Sequence, residues 1–163
     1  RLFYSKPKLT TQMAPVVRFD LSLLPTSAQV QAATLRLYVP STPQYDIRAR
    51  VAGLLRGWDE ATATWELAAA GQPWNTPGAY GIDTDRTTWA GDWQRIGEGG
   101  QWYELDVTPL ARQWAGQPQG NFGMVLEAGA GDQDASVEAR FVSREGNGNF
   151  RPQLIISYVL PLQ

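Results

Sequence analysis

The side chains that could do chemistry in this sequence are arginines, carboxylates and large aromatics, because the chain contains neither histidine nor cysteine. That double absence removes a Cys/His zinc site, a thiol nucleophile and every acid–base arrangement built on an imidazole. It removes a disulfide framework as well. Sixteen carboxylates remain. Glu60 and Glu66 flank Trp65 and have the residue types of a glycosidase acid and nucleophile. Such a pair needs a set separation across a sugar cleft, and nothing in the spacing supplies one. Asp83 and Asp85, in Gly81-Ile82-Asp83-Thr84-Asp85, alternate as the oxygen ligands of calcium do on a flexible loop. Asp132 and Asp134, in Gly129-Ala130-Gly131-Asp132-Gln133-Asp134, do the same. Neither loop has EF-hand spacing, and acidic turn residues are ordinary. Calcium at either loop stands as an expectation beside that plainer reading; no other cofactor is expected.

Recognition chemistry is better represented than catalytic chemistry. Of 14 basic residues, only Lys6 and Lys8 are lysines, and the rest are arginines. A guanidinium presents a planar fork to carboxylates and stacks on aromatic rings. Seven tryptophans are many for a chain of 163 residues. Trp74, Tyr80, Trp89, Trp93 and Trp102 lie in or beside residues 68–100, the longest stretch without a regular pattern. Tryptophan and tyrosine anchor interfaces and offer flat faces for stacking. With Arg48 and Arg50 on the outward side of one strand, these aromatics form the expected contact surface. The competing readings are a lid of aromatics over the core and a solvated arginine stripe that discourages edge pairing. The net charge of -2 and the pI near 5.1 argue against a nucleic-acid surface. No run approaches the roughly 20 apolar residues of a membrane span.

Short alternating runs must position these groups. Val17, Phe19 and Leu21 alternate with Arg18 and Asp20, and Leu35, Leu37 and Val39 with Arg36 and Tyr38. The same period recurs around 47–51, 103–107, 137–141 and 154–158. A period of two puts one face in a core and the other in water. Six such runs punctuated by Gly, Pro, Asn and Asp predict an all-β, antiparallel, jelly-roll-like β-sandwich. One short helix is expected near 108–114, with Thr108 as cap and Pro109 in the first turn. A second helical turn is expected near 59–62. No domain boundary is visible, so residues 1–163 read as one domain.

Several pieces in order resemble a known family. They are Val17-Arg18-Phe19-Asp20-Leu21-Ser22 with Leu24-Pro25, the run 28–39, and Trp58-Asp59-Glu60 with Thr64-Trp65. Asp106-Val107-Thr108 with Trp114 and Asn121-Phe122-Gly123 follow. Phe141-Val142-Ser143-Arg144-Glu145 and Arg151-Pro152-Gln153-Leu154 close the series. Together they resemble the DNRLRE domain, related to disaggregatase repeats and to a family of carbohydrate-binding modules, most strongly over 17–158. The resemblance implies a β-sandwich in secreted or surface proteins, used as a non-catalytic accessory module, with acidic polysaccharides as ligands of some relatives. It also implies that Trp65 and Trp114 are core residues. Arg144 and Glu145 are expected as a buried or half-buried pair at a sandwich corner. Family members usually carry an additional strand before the one equivalent to Leu2, Phe3 and Tyr4. Three explanations stand side by side: a trimmed sequence, a dispensable first strand, or strand addition between subunits, the last making those three residues an expected assembly strand in a neighbouring subunit's sheet. Two functions follow as expectations. One is a structural subunit of a cell-surface or matrix filament that self-associates by strand complementation. The other is a carbohydrate-binding module of a secreted polysaccharide-active protein.

Overall fold

The computed structural model describes residues 1–4, 13–89, 91–130 and 136–161. Twelve strands are formed there: β1 (Leu2–Tyr4), β2 (Val16–Val17), β3 (Gln29–Val39), β4 (Ile47–Leu54), β5 (Leu67–Ala69), β6 (Gln72–Pro73), β7 (Arg86–Trp89), β8 (Gln94–Ile96), β9 (Gln101–Asp106), β10 (Met124–Ala130), β11 (Val137–Ala139) and β12 (Gln153–Val159). One α-helix, α1 (Thr108–Gly116), is present among the described residues. The larger sheet runs β2-β10-β4-β7, with β8 also paired to β4; the smaller runs β12-β3-β9. All of these pairings are antiparallel. The expected all-β sandwich with one short helix is what forms.

The core lies between the sheets and follows the period of two. Leu35, Leu37 and Val39 of β3 and Tyr103 and Leu105 of β9 meet Ile47, Ala49 and Val51 of β4 and Met124 and Leu126 of β10. Each such aliphatic side chain stabilises the fold by about 1.5–3 kcal/mol when fully buried. Leu110, Ala111 and Trp114 of α1 belong to the same core. The cap of α1 differs from expectation. The Thr108 N–H donates to Asp106 Oδ1 at 2.9 Å, while the Thr108 hydroxyl accepts from Ala33 N–H at 2.9 Å. Asp106 thus serves the helix start, and Thr108 fastens it to β3. Near 59–62 the chain forms a single turn, with Ala63 N–H donating to Asp59 O at 2.8 Å and Thr62 N–H to Asp59 Oδ1 at 2.9 Å.

β10 lacks alternation because it is covered on both sides where it begins. Met124 and Leu126 face the main core, while Val125 faces a second cluster with Ala52, Leu54, Ala68, Trp74 and Ala79. That cluster lies on the outer side of the larger sheet beneath the excursion after β4. Residues 68–100 are accordingly not a patternless loop; they contain β6, β7 and β8 and a 3-10 turn at Pro77–Ala79. Phe19 and Leu21, in contrast, lie beyond the end of β2 but still pack on the core.

β1, the expected assembly strand, is paired within its own chain. It pairs with β11 of its own chain, Leu2 opposite Ala139, Phe3 opposite Glu138 and Tyr4 opposite Val137. Leu2 is fully buried in the main core. Burial in that core removes its apolar side chain from water within its own subunit.

Candidate functional site

The second cluster covers only half of the larger sheet's outer face. Along β4 the outward positions run from Leu54 and Ala52, which are buried, to Arg50 and then Arg48, which is exposed. On β10 the neighbours run from Val125 through Glu127 to Gly129, with Arg50 opposite Glu127 and Arg48 opposite Gly129. On the other side of β4, Arg95 of β8 is opposite Arg48. The open half is therefore a patch of arginines with one glutamate and one residue lacking a side chain.

Trp93 lies over that glycine. A Cβ at Gly129 would come within 3.0 Å of the Trp93 ring, so glycine lets the indole lie close against the sheet. The Arg50 guanidinium sits 4.2 Å from the ring centroid, a cation–π contact. Arg50 Nε and a terminal nitrogen both approach Glu127 Oε2 at 2.7 Å. Arg50 is thus held between a carboxylate and an aromatic ring, and Trp93 remains 38% exposed. Arg95 Nε donates to Asp46 at 2.8 Å, which orients the outermost arginine.

At the boundary with the covered half stand Tyr80 and Arg86. The Arg86 guanidinium, buried, lies 5.3 Å from the Tyr80 ring centroid. Burial lowers the Arg86 pKa from its ordinary value, and Glu127 works against that shift. Burial, and then the nearby Glu127 charge, push the Tyr80 phenol up to about 12, so it remains protonated across the physiological range. Trp65 meets Tyr80 edge-on at 5.5 Å. Gly78 makes that placement possible: its φ is +77°, and a Cβ would meet the Trp65 ring at 2.4 Å. Arg86, Tyr80, Glu127, Arg50 and Trp93, with Arg48, Arg95 and Asp46 beside them, form a ladder of planar and charged groups along this face. Such a surface can bind a ligand by stacking and by guanidinium–carboxylate pairing; it has no feature of a catalytic pair.

Carbohydrate-binding module family 96 matches the sequence over residues 5–158. The chain belongs to carbohydrate-binding module family 96. No curated protein matches it. Of the names that the motifs suggested, the carbohydrate-binding one is the one matched. A family of binding modules agrees with the expectation of binding without catalysis.

Within this module the expected contact residues divide among four places. Arg48, Arg50, Trp93 and Tyr80 share the ladder. Trp102 is on the outer face of the smaller sheet, where Tyr38 meets it edge-on at 5.4 Å and stacks on Phe150 at 4.2 Å. Arg36 lies 4.8 Å from the Trp102 ring. Trp74 is 5% exposed, and its indole N–H donates to Thr64 O at 3.1 Å, so it is a core residue of the second cluster and not a contact residue. Trp89 lies on β7 opposite Ala52. Trp114 is buried as expected, and Trp65 is half-buried.

The carboxylate expectations fare differently. Asp85 is fully buried and accepts from Asn75 N–H, the Asn75 side-chain amide and Thr76 N–H at 2.8–3.1 Å. The Arg56 guanidinium is 3.6 Å away. A carboxylate turned toward N–H donors and a guanidinium anchors a loop; it is not an open calcium ligand, and Asp83 is exposed on the adjoining turn. Among the described residues no three acidic groups converge to hold a metal. Asp132 and Asp134 lie outside the described residues. Arg144 and Glu145 pair at 2.8 Å, but they are 72% and 66% exposed, which corrects the buried-corner expectation. Arg144 also reaches Glu60 at 3.1 Å.

Sequence reasoning missed Arg86, Arg95, Glu127 and Gly129. Glu127 did carry a signal, as the lone charge in the apolar run from Phe122 to Ala130. Arg95 and Arg86 carried none, because β7 and β8 are short and lack alternation.

Proposed function

We propose that this protein is a carbohydrate-binding module of a secreted or surface protein, and that it binds an acidic polysaccharide along the open half of the larger sheet. The observation that carries the reading is the Trp93 ring laid over Gly129 with Arg50 beside it. A pyranose can pack the C–H side of its ring on the exposed indole, while Arg48 and Arg95 meet carboxylates of the chain. Four arginines (Arg48, Arg50, Arg86, Arg95) stand against two carboxylates (Glu127, Asp46) in this region, an excess of two positive charges on a chain of net charge -2. That local excess favours a polyanion. Glu127 and Tyr80 offer hydrogen bonds to hydroxyls. No helix among the described residues is long and apolar enough to cross a membrane.

The test is calorimetric titration of the full chain with polygalacturonate and alginate, and with a neutral β-glucan as control. The acidic polymers are expected to bind with an affinity that weakens as salt screens the charges. A double substitution, Arg48→Ala with Arg50→Ala, should cost about ten- to a hundredfold, about 1.4–2.7 kcal/mol in all, below the ceiling of about 1.5–3 kcal/mol for each charged contact because salt and solvent screen both. Undiminished binding in that variant, or no response to either polyanion, would refute the assignment.

A further inference from the structure

A cleft of about 580 Å³ opens elsewhere on the molecule and shares no residue with the arginine ladder. It lies within the range of about 300–1,000 Å³ found for small-molecule sites. Leu37 of β3 and Leu126 of β10 both line it, so it reaches between the two sheets. Segments that are far apart in sequence converge on it: 15–20, Trp58 and Glu60, 141–145, and Arg151 with Pro152. These are four of the pieces that carry the family resemblance, and a purely core role leaves their polar members unexplained.

Trp58 and Phe141 supply the apolar side. Trp58 donates its indole N–H to Phe122 O at 2.8 Å, which holds the ring in one orientation before any ligand arrives. The polar side carries charges of both signs. Arg144 is bound to Glu60 at 3.1 Å and to Glu145 at 2.8 Å. This network ties the turn after β4 to the turn after β11 across the cleft. Arg18, Arg151 and Asp20 complete the rim, with Arg151 Nε donating to Gly146 O at 3.3 Å. Hydrogen bonding to Ser22 holds the Asp20 carboxyl below its ordinary pKa, so it is an acceptor at neutral pH.

The lining thus has four arginines, Arg1 among them, and three carboxylates, against an excess of two on the ladder. An excess of one instead of two, with a third carboxylate on the rim, makes a polyanion less favoured here than on the ladder. Interleaved planar donors and acceptors beside an oriented aromatic ring suit vicinal hydroxyls and the C–H face of an uncharged sugar. We propose that this cleft is a second carbohydrate site, taking a neutral glycosyl unit, so that the module binds two chemically different glycans at once. The proposal rests on the carbohydrate reading of the family but not on the ladder.

The experiment is amide and indole NMR of the full chain titrated with cellotriose, laminaritriose, mannotriose and xylotriose, at low and high salt. At least one trisaccharide should shift the Trp58 indole N–H and the amides of Ser143 and Glu145 while leaving the Trp93 indole in place. Its affinity should be insensitive to salt. Arg18→Ala with Arg151→Ala, both exposed, should weaken it about fivefold or more, and Asp20→Asn should do so independently. Arg48→Ala with Arg50→Ala should leave it unchanged. No shift from any of the four sugars, shifts centred on Trp93, or loss of binding in the Arg48/Arg50 variant would overturn the proposal. Trisaccharide binding that survives while polyanion binding fails would sink the ladder assignment alone; the reverse would sink the cleft alone.

Discussion

Asp85 offers the sharpest check on how the ladder is held in place. Its carboxylate ties Asn75 and Thr76 to the segment that carries Trp74 on one side and Tyr80 on the other. Replacing it with asparagine keeps the shape but turns one acceptor oxygen into a donor, facing N–H groups. At least one buried donor then loses its partner, and a charge-assisted bond becomes a neutral one or a repulsion. The expected cost is about 2–4 kcal/mol, or a fall in Tm of about 5–12 °C for a domain of this size. The pH dependence follows from the same contacts. Burial by itself would raise the Asp85 pKa, but hydrogen bonds from Asn75, Thr76 and Gly81 outweigh it and leave the value below the ordinary 3.8. A carboxyl with a lowered folded pKa contributes stability above its unfolded pKa and loses it as pH falls through the folded value. The deficit of Asp85→Asn should therefore be full near pH 7 and shrink as pH falls below about 4, first as the unfolded wild type takes up its proton and then as the folded carboxyl does. Urea denaturation followed by tryptophan fluorescence at both pH values measures this. A deficit under about 0.5 kcal/mol, or one that persists undiminished in acid, would refute the reasoning. Polyanion affinity should fall in the same variant, because Tyr80 loses its support.

Other residues give complementary tests. Trp93→Ala should weaken polyanion binding by about 1–2 kcal/mol in calorimetry, the size of one stacked contact, and leave the melting temperature nearly unchanged. Leu2→Ala should destabilise the fold by about 2–4 kcal/mol in chemical denaturation, as for any buried leucine, with no change in mass by light scattering. A change of oligomeric state instead would restore the strand-exchange reading. Gly78→Ala imposes a side chain on a left-handed backbone and against the Trp65 ring, so thermal melting should show a loss of at least about 1–2 kcal/mol.

Most of the sandwich was legible because alternation survives wherever one face is wet. β3, β4, β9, β11 and β12 all fall on runs with that pattern. β10 was hidden by its continuous apolar stretch, which reflects burial on both faces at Val125 and Leu126. β7 and β8 were hidden because partial pairing with β4, not their own composition, makes them strands. The contact surface was legible in kind and only partly in place. An excess of tryptophan and arginine marks a binding protein, but the same residue type serves as a core member at Trp74 and as an exposed platform at Trp93.

The sequence by itself determined the fold class, the exclusion of imidazole and thiol chemistry, and the outward placement of Arg48 and Arg50. Those follow from periodicity and composition, which are local. Tertiary structure alone decided which aromatics remain accessible, that Leu2 is buried in its own core, and that the Asp85 carboxylate faces N–H donors of Asn75 and Thr76. It also brought Arg86, Arg95, Glu127 and Gly129 beside Arg50 and Trp93. Each of these depends on which residues meet across strands distant in sequence, and no short window of the chain carries that information.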